Sequence, residues 1–98
     1  MACPILRFKQ EKTTKTKEEF LLRVGDDKTL TPAAKLYLIF LLLLPEYMEV
    51  PQRLMCELTG NSERTNDRAR KSLVEKGYIR IEPRKLIEVN LDKFLKGE

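Results

Sequence analysis

The sequence predicts an α+β domain in which three core helices come first and a C-terminal β-hairpin closes the fold. Three observations predict it. An apolar segment begins at a helix-start signal, "TPAAK", and stops at Pro45. Two shorter segments with helical spacing follow, each ending at a glycine, Gly60 and Gly77. Beyond Gly77 the period changes to alternation, in two runs separated by Pro83, Arg84 and Lys85. The 98 residues make one domain, near the lower end of the sizes that bury a sufficient core without metals or disulfides. Residues 1–30 read as an N-terminal extension with a short helix, and residues 31–98 as the domain proper.

Within the extension, "PILRF" is a candidate strand and "KQEKTTKTK" a polar, basic connection. "TKEEFLLRVG" carries a capping box, Thr16 with Glu19 three positions on, ahead of Phe20, Leu21, Leu22 and Val24. This apolar group suits either of two tasks, covering the next helix or joining a dimer interface.

In "TPAAKLYLIFLLLLPE" Thr31 is the N-cap and Pro32 the first helical residue, giving a helix over about 32–44. It is apolar on nearly every face, so more than one neighbour must cover it. Tyr37, Phe40 and Leu44 share about one third of its circumference, and Leu38, Leu41 and Leu42 lie mostly on the remainder. One set faces the domain's own core. The other faces the Phe20–Val24 segment, the C-terminal Phe94 and Leu95, or a second copy of the chain, and a homodimer is therefore expected. After a short extended piece, "MEV", Pro51 opens a second helix over about 52–59, with Leu54, Met55 and Leu58 as its apolar stripe.

Ser62 caps a third helix that runs to Lys76. Thr65, Ala69 and Leu73 fall on its inward side, with Asn66 and Arg70 at the margin; Arg64, Asp67, Arg68, Lys71 and Glu75 fall outward. In the hairpin, the register that pairs Ile79 with Val89 and Ile81 with Ile87 also sets Arg80 against Glu88, whereas a slip of one residue would face Ile79 with Glu88. Arg84 and Lys85 then stand at an exposed tip. "NLDKFLKGE" offers a final helical turn through Leu91, Phe94 and Leu95.

Between Gly60 and Lys85, eight Lys or Arg stand against four Asp or Glu, a local excess as large as the +4 of the whole chain. A solvated helix face is the plain reading of such a charge run. Its presence on both a helix and a hairpin tip favours a nucleic-acid surface. Catalysis has no visible machinery: the chain has no histidine, no Gly-rich phosphate loop and no nucleophile beside a base. Cys3 and Cys56 stand far apart without zinc spacing, so no metal and no cofactor is expected; Cys56 reads as a packed thiol. The nine-residue apolar run Leu36 to Leu44 is about half a membrane span, and the N-terminus is too polar for a signal peptide, so a cytoplasmic protein is expected.

Two short helices joined by "LTGNSERT", with "SLVEKGYI" leading from the second into a hairpin, resemble the winged helix-turn-helix DNA-binding superfamily over Leu30 to Leu91. More narrowly, "LTPAAKLYLIFLLLLPE" followed by "LTGNSERTNDRARKSLVEKGYI" is similar to N-terminal domains of plasmid and phage replication initiators, and bacterial transcriptional regulators share much of the pattern. The resemblance implies a double-stranded DNA partner, with the third helix as recognition helix and the hairpin as wing. It departs from the family at Asn66 and Arg70, where apolar residues are common.

An α-helix fits the major groove, and the arginine fork matches the acceptor pair of guanine, which suits Arg64 and Arg68 to base edges. Asn61, Ser62 and Thr65 lie where short polar groups and free amides suit phosphate. Lys71, Arg84 and Lys85 suit the DNA backbone or the minor groove; Arg80 and Lys76 rank below them. A protein-binding module whose basic face serves an acidic partner remains the other class, because fold alone does not separate the two.

Overall fold

The computed structural model describes residues 3–9 and 17–91. Along the chain run β1 (Ile5–Lys9), α1 (Lys17–Asp26), α2 (Pro32–Leu43), α3 (Gln52–Thr59), α4 (Glu63–Glu75), β2 (Ile79–Glu82) and β3 (Leu86–Asn90). The class is α+β, with four helices and a three-stranded sheet in the order β1-β3-β2. Thr16 of the expected capping box, and the expected turn through Phe94 and Leu95, lie outside the described residues.

The helix ends follow local chemistry. The Thr31 hydroxyl accepts from the Ala34 N–H at 3.2 Å, and Pro32 occupies the first turn, where its missing N–H costs no helical bond. At the other end Pro45 cannot continue α2. Lys35 Nζ donates to the Gly25 carbonyl at 2.9 Å, which places a cation on a carbonyl near the end of α1. Helix α4 closes in a Schellman motif: Tyr78 N donates to Leu73 O at 2.9 Å and Gly77 N to Val74 O at 3.1 Å. The left-handed φ of 79° at Gly77 is the conformation glycine adopts without a Cβ penalty.

Helix α2 is the centre of the core. Ala34, Tyr37, Leu38, Leu41 and Leu42 are buried, and Phe40 and Leu44 pack partly against the same cluster, so both predicted sets are covered. One cover is α1, whose Phe20 and Val24 are buried in that cluster; α4 and α3 supply much of the rest. Leu43 stays out, 66% exposed. Burial pushes the Tyr37 hydroxyl pKa up to about 12, while the neighbouring Arg70 guanidinium pulls it back in part. No helix among the described residues is long and apolar enough to cross a membrane.

The hairpin adopts the register set by alternation: Ile79 pairs with Val89, Arg80 with Glu88 and Ile81 with Ile87. "PILRF" does form a strand, and β1 pairs in parallel with β3, Leu6 opposite Ile87 and Phe8 opposite Val89. Its other edge meets the extended piece after α2, where Leu6 N donates to Met48 O at 2.9 Å and Val50 N to Pro4 O at 2.9 Å. Leu6 and the α1 residues Phe20 and Val24 belong to the same core cluster as α2 and α4.

A polar tie joins the loop after α1 to the end of α4. The Tyr78 hydroxyl donates to Asp27 Oδ2 across 51 residues of sequence, and the Phe20 and Tyr78 rings meet edge to face at 6.2 Å. The Thr29 hydroxyl donates to Asp27 Oδ1 at 2.5 Å. These two hydroxyls, Thr29 first, hold the Asp27 carboxyl at about 2, below its usual 3.8. A depressed carboxylate pKa adds stability that is complete above the unfolded-state value and is lost as pH falls toward 2. Between pH 4 and pH 2 the urea midpoint of the native chain should therefore fall more steeply than that of Asp27→Asn, and parallel curves would remove Asp27 as the acid-sensitive tie.

Candidate nucleic-acid interface

Helix α4 owes its position to one polar and two apolar side chains. Asn66, Ala69 and Leu73, spaced three and four apart, are its buried residues. Asn66 is 0% exposed and sits at the centre of the inward face, a correction to its expected place at the margin; Thr65, expected inward, is half-buried. The Asn66 amide is partnered from α3: Thr59 Oγ1 lies 3.4 Å from Oδ1, and Nδ2 donates to Cys56 Sγ at 3.6 Å. The single Thr59 hydroxyl proton points chiefly to Met55 O at 2.7 Å, with Asn66 Oδ1 as the longer branch, and the oxygen accepts from Asn61 N at 3.2 Å. One hydroxyl thus ties the end of α3, the turn and α4 together. Gly60 gives the turn its left-handed residue, φ 74°, with its N–H on Cys56 O at 2.9 Å.

Arg70 lies half-buried at the margin of the inward face, as expected, whereas Asp67 differs from its expected setting. Asp67, read as outward, is half-buried and accepts from Arg70 Nη2 and from Gln52 Nε2, the latter at 3.2 Å. Arg70 lies against Tyr37 and Asp67, so its charge is spent inside the protein. The pairing predicted for Arg80 is present, Nε to Glu88 Oε1 at 3.3 Å, and Glu82 takes its Nη1 at 2.5 Å.

Ser62 caps α4 as expected, its hydroxyl accepting from Thr65 N at 3.2 Å and donating to Thr65 Oγ1 at 3.1 Å. The relay leaves the Thr65 hydroxyl proton as the one free to donate outward. Asn61 is half-buried, with Nδ2 enclosed and lacking a hydrogen-bond partner among the described residues. Its backbone N–H is taken as well, by Thr59 Oγ1, so the phosphate contact expected of Asn61 finds no free donor there.

Arg64, Arg68, Lys71, Arg84 and Lys85 are all exposed. None of the five has a side-chain hydrogen bond or ion pair among the described residues, whereas Arg7, Arg53, Arg70 and Arg80 are each paired with a carboxylate. Arg64 and Arg68 are one turn apart on α4, about 6 Å between Cβ atoms. Lys71 and Arg84 line one groove, so α4 and the hairpin tip flank the same depression. Asn61, Ser62 and Thr65 stand at the opposite, N-terminal end of α4 from that groove.

Arg84 holds a left-handed backbone, φ 64°, in the turn closed by Lys85 N on Glu82 O at 3.0 Å. With Pro83 before it this is the third position of a turn that glycine fills without strain, and a side chain there costs about 1 kcal/mol. Arg84→Gly should raise folding stability by about 0.5–1 kcal/mol in urea unfolding while weakening any anionic ligand of the tip; a loss of stability would contradict the strain.

Comparison of the chain with protein-family models, with curated proteins and with solved structures gives no match.

Proposed function

We propose that the chain is a winged helix-turn-helix that binds double-stranded DNA with sequence preference, α4 entering the major groove and the β2–β3 tip lying on the backbone. The observation that carries this reading is the set of five exposed cations, divided between α4 and the tip, that have no side-chain partner among the described residues. Exposed Lys9 and Lys28 have no side-chain partner among the described residues either, so what supports the reading is the grouping of these five on α4 and the tip. Arg64 and Arg68, in the first turns of α4, are the base readers; Lys71, Arg84 and Lys85 meet phosphates; the Ser62 and Thr65 hydroxyls hold a phosphate at the helix start. Both apolar sets of α2 are covered within the chain, so the homodimer expected from that helix carries no part of this reading. The resemblance to plasmid and phage initiators and to bacterial regulators makes replication initiation or transcription control of a mobile element the process, in the cytoplasm.

Titration of a labelled random duplex at 50 and 200 mM salt tests the electrostatic part. Five neutralised phosphates give a slope of log affinity on log salt of about −4 to −5, so affinity should drop by about 500-fold over that range. Negligible binding to every duplex at low salt would turn the basic face over to an acidic protein partner.

A further inference from the structure

Between α4 and the hairpin tip the surface sinks into a groove of about 740 Å³, inside the range of about 300–1,000 Å³ typical of small-molecule sites. Its lining is largely apolar. Val50 and Ile87 are buried, Ile81 is half-buried, and Val74 is 43% exposed although every neighbour on that side of α4 is charged. The charged side chains of the lining are Asp67, Arg70, Lys71, Glu75 and Arg84. Asp67 and Arg70 neutralise each other. Lys71 and Arg84 then face a single carboxylate, Glu75, and none of these three has a side-chain partner among the described residues. An apolar trough with one uncompensated positive charge matches a molecule with an apolar body and one anionic head.

We propose that this groove binds a small amphipathic anion, a carboxylate on an alkyl or aryl body, with the body on Val50, Val74, Ile81 and Ile87 and the head at Lys71 and Arg84. Burial of the body supplies affinity and the two cations select the sign of the head. The same two cations are assigned above to DNA phosphates, so an occupied groove lowers duplex affinity. That regulatory step rests on the DNA reading; binding in the groove does not.

Decanoate is a suitable probe, with decyltrimethylammonium as the control of equal chain length and opposite charge. In ¹⁵N-resolved spectra of the full chain, decanoate should shift the amides of Val50, Val74, Ile81 and Ile87 in one saturable process. Lys71→Gln should weaken it about five-fold and Glu75→Gln should strengthen it by a similar factor, the size of one exposed charge interaction. Both positions are exposed, so the fold should not be disturbed. Unmoved groove amides, or equal binding of the cationic control, would overturn the site. Saturating decanoate should then reduce affinity for the duplex. Unchanged duplex affinity with the groove filled would overturn the regulatory step alone, and a chain that binds decanoate but no duplex would overturn the DNA reading while leaving the site in place.

Discussion

Leu41→Ala should lower folding stability by about 2–5 kcal/mol, the usual cost of emptying a fully buried leucine site. In a domain of this length that corresponds to a melting temperature roughly 10 °C or more below that of the parent chain. Leu41 is 0% exposed in the middle of α2. Leu43, two residues on, is 66% exposed, and Leu43→Ala should stay within about 0.5 kcal/mol of the parent. Thermal unfolding of the two variants side by side checks the placement of α2. Similar losses from both would mean that Leu43 too is covered, and the surface a second copy would need would have to be sought there.

Arg64→Ala and Arg68→Ala should each cost about 1–3 kcal/mol on a preferred duplex selected from random sequence, roughly 5- to 150-fold in affinity, and much less on random duplex. Arg84→Ala and Lys85→Ala should weaken preferred and random duplex about equally, because phosphates carry no sequence. The contrast follows from position. The first pair stands on the opening turns of α4, where a helix meets base edges, and the second on a tip held to the sheet by the Lys85 carbonyl, which accepts from Ile5 N at 3.0 Å. Equal losses from all four replacements, measured by fluorescence anisotropy, would show that α4 does not read bases.

Much of this was legible in the sequence because the signals are local. Thr31, Pro32 and Pro45 bound α2, Gly60 and Gly77 end α3 and α4, and the alternation of Ile79, Ile81, Ile87 and Val89 selects one hairpin register, all as found. The five outward cations were legible for the same reason: helical spacing places Arg64, Arg68 and Lys71, and the three-residue turn places Arg84 and Lys85.

What was not legible depends on partners far along the chain. "PILRF" shows strand character, but nothing in it announces a parallel pairing with residues 86–90, about eighty positions away. A wheel centred on Thr65, Ala69 and Leu73 puts Asn66 at the margin; the buried face is centred nearer Asn66, whose amide meets the Thr59 hydroxyl and Cys56 sulfur on α3, and those partners are set by tertiary packing rather than by the sequence of α4. Asp67 was read as outward because the wheel knows nothing of Gln52, which reaches it from α3. The groove beside α4 had no signature either, since its lining comes from α4, the hairpin and the segments around Pro4 and Val50.

The central claim, that α4 and the hairpin tip together meet duplex DNA, is tested most directly by adding a selected duplex to ¹⁵N-labelled protein and mapping the amides that move. Shifts should concentrate at residues 61–71 and at Arg84 and Lys85, with the exposed Leu22 and Leu43 unmoved apart from any change in assembly. Shifts confined to α1 and the end of α2, or none at all at low salt, would contradict it.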